Sequence, residues 1–305
     1  MIRLYPSRMP RTDTNHWLGE AMSCDAGQLP HGVKSYVNQA TGSDTLDTGR
    51  GESASKPFKT IQACLNYIGN NYNIGGYTAK IIVSPGLYDR ISIPKFNSTT
   101  GTLIISGDST DRSQVITKHI QNDYAVKTYI TDLTIKPDDS NISHSAISST
   151  DGSVYLENIC LDLSAEAGGD SANRYGLYAT GGTIRIEASS QPNRGLYLKS
   201  GEKTITSIFY LSTSGSIVMA NDVTIQSNIT MNNFLLGQLN GTFNTLKANF
   251  PYPEENSKFI IEDSYIVTGN RYYLTLNAVA RVGNGGPEFF PGTVAGTTST
   301  GGQYL

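Results

Sequence analysis

A parallel β-helix is the fold class predicted for this chain of 305 residues, and three features carry the prediction. Short stretches of alternating apolar residues, bounded by Gly, Asn, Asp or Ser, fill most of the sequence. Five of them open on one signature, Gly followed by Ser or Thr. Asp or Asn then recurs between paired half-strands, where its tolerance of left-handed backbone angles makes a sharp corner. Composition agrees: 38% of residues are hydrophobic and 16% charged, with 31 Gly and 18 Tyr. Ser, Thr and Asn supply roughly 28%, well above ordinary usage, so the predicted surface is polar but weakly charged.

The five signature copies are Gly101-Thr-Leu-Ile-Ile105, Gly152-Ser-Val-Tyr-Leu156, Gly182-Thr-Ile-Arg-Ile186, Gly215-Ser-Ile-Val-Met219 and Gly241-Thr-Phe-Asn-Thr245. Their third and fifth places are apolar, Thr245 excepted, and predict the inward side of each strand. Val126-Lys-Thr-Tyr-Ile130 and Ser257-Lys-Phe-Ile-Ile261 fit without the glycine. Corners are expected in Ile130-Thr-Asp-Leu-Thr-Ile135, Leu156-Glu-Asn-Ile-Cys-Leu161, Ala220-Asn-Asp-Val-Thr-Ile225 and Ile261-Glu-Asp-Ser-Tyr-Ile266. Units that recur and vary only in their loops bury their apolar side against one another, as a solenoid does. A jelly roll or sandwich is the competing architecture, because short strands alone do not reveal their partners.

Three segments are expected. Residues 1–34 have prolines, mixed charges and the single tryptophan but no periodicity, and read as an arm, either disordered or ordered only on a partner. Residues 35–268 are the β-helix. An entry helix at about 57–69 would present Phe58, Ile61, Leu65 and Ile68 on one face, with Pro57 in its first turn, and plug the first turn of the coil. Residues 269–305 are expected to be a trimerisation and capping tail, three chains wrapping their ends together. There Tyr272, Leu274, Leu276, Val279 and Val282 would cover the last open strand edge, with Phe289-Phe290 as an anchor against neighbouring subunits.

A net charge of -3 argues against a nucleic-acid partner. Cys24, Cys64 and Cys160 are too scattered for a disulfide framework and read as free thiols; the four histidines carry no metal-ligand spacing. Asp44, Asp47 and Glu52 lack an ordered calcium pattern and read as loop residues. No metal or cofactor is expected. No apolar run approaches a membrane span and the N-terminus lacks a secretory signal, so a cytosolic product released by lysis is expected.

Tyr36-Val-Asn with Thr41-Gly-Ser-Asp44, then Pro57-Phe-Lys-Thr-Ile-Gln62 and Ile81-Ile-Val-Ser-Pro-Gly-Leu-Tyr88, resemble the entry region of bacteriophage tailspike and tail-fibre proteins. The closing Gly283-Asn-Gly-Gly-Pro-Glu-Phe-Phe-Pro-Gly-Thr and Gly301-Gly-Gln-Tyr-Leu305 are similar to the ends of such fibres. The resemblance runs from about residue 35 to the end. It implies a right-handed, pectin-lyase-like β-helix, a homotrimer, an arm docked on a virion protein through Leu4, Tyr5, Met9 and Trp17, and host surface polysaccharide as the target.

Within that family adhesins and depolymerases share the fold. Glycan cleavage needs two carboxylates, ~5 Å apart for retention or ~6.5 to 9.5 Å for inversion. Glu157 and Glu187 follow equivalent apolar residues in successive copies and are the candidate pair; the alternative is a solvated outer ladder. Tyr155 and Arg185 form the adjoining outward column. Asp138, Asp139, Asp162, Glu166 and Asp170 read as turn acids. For binding, Asn173-Arg-Tyr-Gly-Leu-Tyr178 recurs as Asn193-Arg-Gly-Leu-Tyr197. Stacking would align Arg174 with Arg194 and Tyr178 with Tyr197, giving a strip suited to sugar faces and hydroxyls. Three readings follow: a polysaccharide-binding adhesin, a hydrolase or lyase, and a purely structural fibre.

Overall fold

The computed structural model describes residues 32–96, 100–138, 145–164, 175–187, 194–201, 204–246 and 257–305. The arm residues Leu4, Tyr5, Met9 and Trp17 lie outside them, as do Cys24, Asp139, Glu166, Asp170 and Arg174. Among the described residues the chain is mostly β, in a 15-stranded and an 8-stranded sheet whose strand pairs are all parallel.

One circuit shows how the coil is built. Ser153–Leu163 bends at Asn158, Tyr175–Thr180 joins the other sheet, and Thr183–Ile186 returns beside 153–156 with Val154 opposite Ile184 and Leu156 opposite Ile186. Because Lys127–Ile135 and Ser153–Leu163 bend, the larger sheet has two arms. The first array runs from Gly32–Val37 through Thr78–Val83, Thr102–Ser106, the first halves of the bent strands, Thr183–Ile186, Ser216–Met219 and Thr242–Thr245 to Val279–Arg281 and Gln303–Tyr304. The second comprises Gly86–Tyr88, Val115–Thr117, the second halves, Leu196–Ser200, Val223–Ile225 and Phe259–Ile261. The third runs from Ile91–Ser92 to Thr297–Thr298. This arrangement is consistent with a parallel β-helix.

The signature strands do what their pattern requires. Leu103, Val154, Ile184, Ile217 and Phe243 occupy one buried column, and Ile105, Ile130, Leu156, Ile186 and Met219 the next. The glycine answers a close approach: a Cβ on Gly152 would lie 2.0 Å from the Tyr124 carbonyl oxygen, and one on Gly215 would lie 2.1 Å from that of Ala179. Only glycine lets successive turns nest there. Val126-Lys-Thr-Tyr-Ile130 joins the same array, but Ser257-Lys-Phe-Ile-Ile261 sits in the second array. Its alternation matched the signature although its place in the circuit differs.

The corners divide similarly. Asp132 (φ 62°) and Asn158 (φ 54°) are left-handed bends joining the first two arrays. Asp263 is also left-handed (φ 50°) but turns the chain from the second array to the third. Neither Asn221 nor Asp222 has a positive φ; the Asn221 side chain accepts the Asp222 amide instead. A further ladder joins the third array to the first. Thr213-Ser214, Leu239-Asn240 and Leu276-Asn277 each place two residues at positive φ, closed by bonds such as Gly241 N to Gln238 O (2.9 Å). These are type I′ geometries. Ser214 N donates to Leu239 O (2.9 Å) and Asn240 N to Leu276 O (3.0 Å), so the turns bond to one another.

The helix spans Ile61–Asn71, starting after Pro57 and Phe58 because Thr60 is its N-cap. Asp44 Oδ1 accepts from the Lys59 and Thr60 amides (2.9 and 3.0 Å), holding the approach extended. Ile61, Cys64, Leu65 and Ile68 are buried, and the helix packs against the first strands of the coil. Phe58 instead bridges to Val37. Both expected boundaries shift: residues 32–34 belong to the first strand, and parallel pairing continues past 268 to Tyr304. Phe290 is fully buried inside its own chain, 5.0 Å from the Phe243 ring, and Tyr304 stacks on Tyr272 at 4.3 Å. The anchor expected to reach a neighbour therefore fills the end of its own core. Leu276 is an exposed turn tip rather than part of the cover.

Among the described residues, two side-chain polar atoms of the interior are buried without a hydrogen-bond partner. Thr128 replaces the apolar residue between Leu103 and Val154, and its Oγ1 lacks a hydrogen-bond partner. Thr128→Val should raise stability by about 1 kcal/mol in denaturant titrations, since it removes an unsatisfied hydroxyl at nearly constant shape; a destabilised variant would show that the hydroxyl is satisfied. His119 is wholly buried, with Nδ1 against the Ser145 carbonyl and Nε2 unpartnered. Burial pushes its pKa from 6.5 down to about 4. The unfolded chain then binds the proton more readily, so stability should fall by on the order of 3 kcal/mol as pH drops from ~6.5 to ~4. His119→Asn should flatten that window; an unchanged profile would remove His119 as its cause.

Candidate functional site

The corner ladder between the first and second arrays assembles a connected polar cluster. Left-handed Asp132 and Asn158 lie on successive turns, and Asn158 Nδ2 donates to Asp132 Oδ1 (2.8 Å). On the next turn the Asn158 amide bonds to the Arg194 carbonyl (2.8 Å), placing Arg194 over the same corner. Its Nη2 reaches Asp132 Oδ1 (2.8 Å) and its Nε reaches Glu157 Oε1 (2.7 Å). Burial opposes the Arg194 charge, but Glu157 and Asp132 outweigh it and hold its pKa above the ordinary value.

The connection between Thr102–Ser106 and Val115–Thr117 folds over this corner. Gly107 N bonds to Thr131 O (2.9 Å), and Asp111 caps a short 3-10 turn at 112–114. That turn delivers Arg112, whose Nη1 donates to Asn158 Oδ1 (3.0 Å) and whose carbonyl accepts from Thr134 Oγ1 (3.1 Å). The guanidinium sits over the Tyr197 ring, its Cζ 3.4 Å from the centroid. Below Tyr197 in the register is Cys160, a buried thiol whose pKa burial raises. Between the turn and the second array runs a groove of about 530 Å³, lined by Ser109, Thr110, Arg112, Asn158, Arg194, Lys199 and Gln226 among others.

The outer sides of the other arrays carry aromatic ladders. Tyr129 and Tyr155 stack at 4.6 Å on the first array, with Lys127 Nζ 4.9 and 4.6 Å from their centroids. Arg185 continues that column opposite Tyr155, as expected. On the third array Tyr178 stacks on Tyr210 at 4.7 Å, with Tyr175 4.8 Å from Tyr210.

The expected strip therefore divides. Tyr178 and Tyr197 do not stack: the first pairs with Tyr210 in the third array and the second with Cys160 in the second array. The two similar peptides are separated by only part of a circuit, so their likeness places them on different sides. Tyr197 is also buried beneath Arg112 rather than open. Glu157 and Glu187 do follow one another along the coil, Glu187 N bonding to Leu156 O (2.8 Å). Each faces an arginine, Glu157 meeting Arg194 and Glu187 lying 3.2 Å from Arg185 Nε. The Arg185 N–H is off line for a hydrogen bond, so this contact is an ion pair by proximity. Asp138 pairs with Lys118 and Asp162 with Lys136. Asp44 caps the helix approach and Asp47 pairs with Arg50 and Lys56.

Arg112, Asp132, Tyr129 and Tyr210 were not anticipated as site residues. Tyr129 had a signal, since it holds the fourth place of the signature, as Tyr155 and Arg185 do. Arg112 had none, because only the folded turn brings it to Tyr197. Comparisons of the chain with family models, curated proteins and solved structures find no match in any of the three.

Asp132 keeps only 6% of its side chain exposed and relies on Arg194 for its counter-charge. Arg194→Leu should destabilise the protein by roughly 2 kcal/mol, below a fully buried pair because the guanidinium is partly solvated. Adding Asp132→Asn should recover part of the loss; a cycle with no coupling would show that the two side chains act independently.

Proposed function

We propose that this chain is a bacteriophage tailspike or tail-fibre receptor-binding protein, a right-handed trimeric β-helix that recognises host surface polysaccharide on its flank. The observation that carries the reading is the groove beside Arg112, an open channel lined almost wholly by polar and charged groups. Glycans are polar on their edges and apolar on their C–H faces. Their edges suit an open surface of fixed guanidinium, amide and hydroxyl groups better than a deep apolar cavity. The neighbouring Tyr155 and Arg185 column adds the same chemistry on the adjoining array. In this proposal the arm, through Leu4, Tyr5, Met9 and Trp17, docks on a virion protein, and the particle leaves the host cytoplasm by lysis. No helix among the described residues is long and apolar enough to cross a membrane.

Binding without cleavage is favoured by the surroundings of Glu157 and Glu187. Glu157 is hydrogen-bonded to Arg194 and Glu187 lies against Arg185, so both carboxylates are already engaged by the chain itself. The second reading, a depolymerase, rests on their succession along the coil. Purified protein incubated with host cells and with extracted capsule or O-antigen separates the two. Retention on the glycan with neither new reducing ends nor unsaturated products is expected. Product release abolished by Glu157→Gln or Glu187→Gln would establish the enzyme, and failure to bind intact host cells would overturn the receptor assignment.

A further inference from the structure

We infer that the groove selects a carboxylate-bearing sugar, held between Arg112 and Lys199; this rests on the polysaccharide-binding reading and names the class of residue that is bound. A local charge excess supports it, in a chain whose net charge is -3. Three cations line the groove: Arg112, Arg194 and Lys199. Arg194 is balanced by Asp132 and Glu157. Among the described residues neither Arg112 nor Lys199 forms an ion pair with a carboxylate.

The acids nearby are occupied. Asp111, the one acid in the lining, is taken up by its own turn, accepting from the Ser113 amide and hydroxyl and from Gln114 Nε2. Asp162 stands beside Lys199 in the strand register, but it accepts from Ser164 and pairs with Lys136 at 3.3 Å. On the other side of Lys199, Gln226 turns its amide to Glu262 (3.1 Å).

Arg112 is also fixed before any ligand arrives. Tyr197 supports its face, Asn158 takes one Nη1 proton, and Thr134 holds its backbone carbonyl. A planar guanidinium locked in this way presents its remaining N–H edge without further loss of rotamer freedom, which suits the two-oxygen geometry of a carboxylate. Lys199 supplies a mobile second charge. The pair matches a singly charged group along a sugar chain.

Polygalacturonate, alginate and polysialic acid, each beside its carboxyl-reduced form, and dextran sulfate beside dextran are the probes for calorimetric titration. Binding of at least one carboxylated polymer is expected, weakening with salt and lost on carboxyl reduction. Arg112→Gln should weaken it by roughly tenfold or more, as loss of a hydrogen bond to a charged group does. Arg112→Lys, which keeps the charge but not the fork, should fall between. Lys199→Gln, at an exposed position, should weaken binding several-fold with the melting temperature unchanged. Equal affinity for native and reduced polymers, dextran sulfate binding as tightly as the carboxylated polymers, or full affinity in both Gln variants would overturn the inference. If neutral glycans and host cells still bind in those cases, the receptor reading stands alone. If no polymer binds and host cells are not bound, both fall.

Discussion

Each circuit of this chain must return to a point one strand spacing from where it began, in register, so that backbone donors on one turn meet acceptors on the next. That constraint governs the rest. Strands about 4.8 Å apart leave no room for a Cβ where the chain doubles back across its neighbour, so the returning strand opens on glycine at Gly152, Gly182 and Gly215. The same spacing stacks like positions, producing inner columns of Ile, Leu and Val and outer columns in which tyrosines lie face to face. Cohesion comes from this repetition rather than from a central nucleus, as in other solenoids.

Much of the fold was legible because the repeat is local. Alternation in Gly182-Thr-Ile-Arg-Ile186 names the inner residues without knowledge of partners, and Asp132 and Asn158 declare their corners through their own backbone preferences. What could not be read was phase around the coil. The Tyr178 and Tyr197 peptides look alike yet occupy different sides, because likeness over five residues does not count the arrays crossed between them. The strand Phe259–Ile261 was misplaced for the same reason. Arg112 was out of reach for another: its partners Asn158 and Tyr197 are distant in sequence, and its loop has no repeat. The end of the coil was legible as a need for cover, but nothing in Phe289-Phe290 said whose core they would fill.

The site follows from the same geometry. A left-handed corner turns its side chain outward along the coil edge, and successive corners line up, so Asp132, Asn158 and Arg194 become neighbours with no further device. Arg112 joins their network through Asn158, and Lys199 lines the same groove. A rigid scaffold thereby holds charge in fixed places at its surface.

The I′ turns between the third and first arrays have a consequence for how such a molecule can diversify. From Ser212 onward this edge is a hydrogen-bonded seam of near-constant length, each turn bonded to the next, and an inserted residue would break bonds on both sides. By contrast, the connections after Ile135, Leu163, Ile186 and Thr245 differ widely in length while the strands they join keep register. The coil therefore has a spine and a margin. Changes of surface chemistry can accumulate on the margin, where the groove lies, while the spine preserves the pitch.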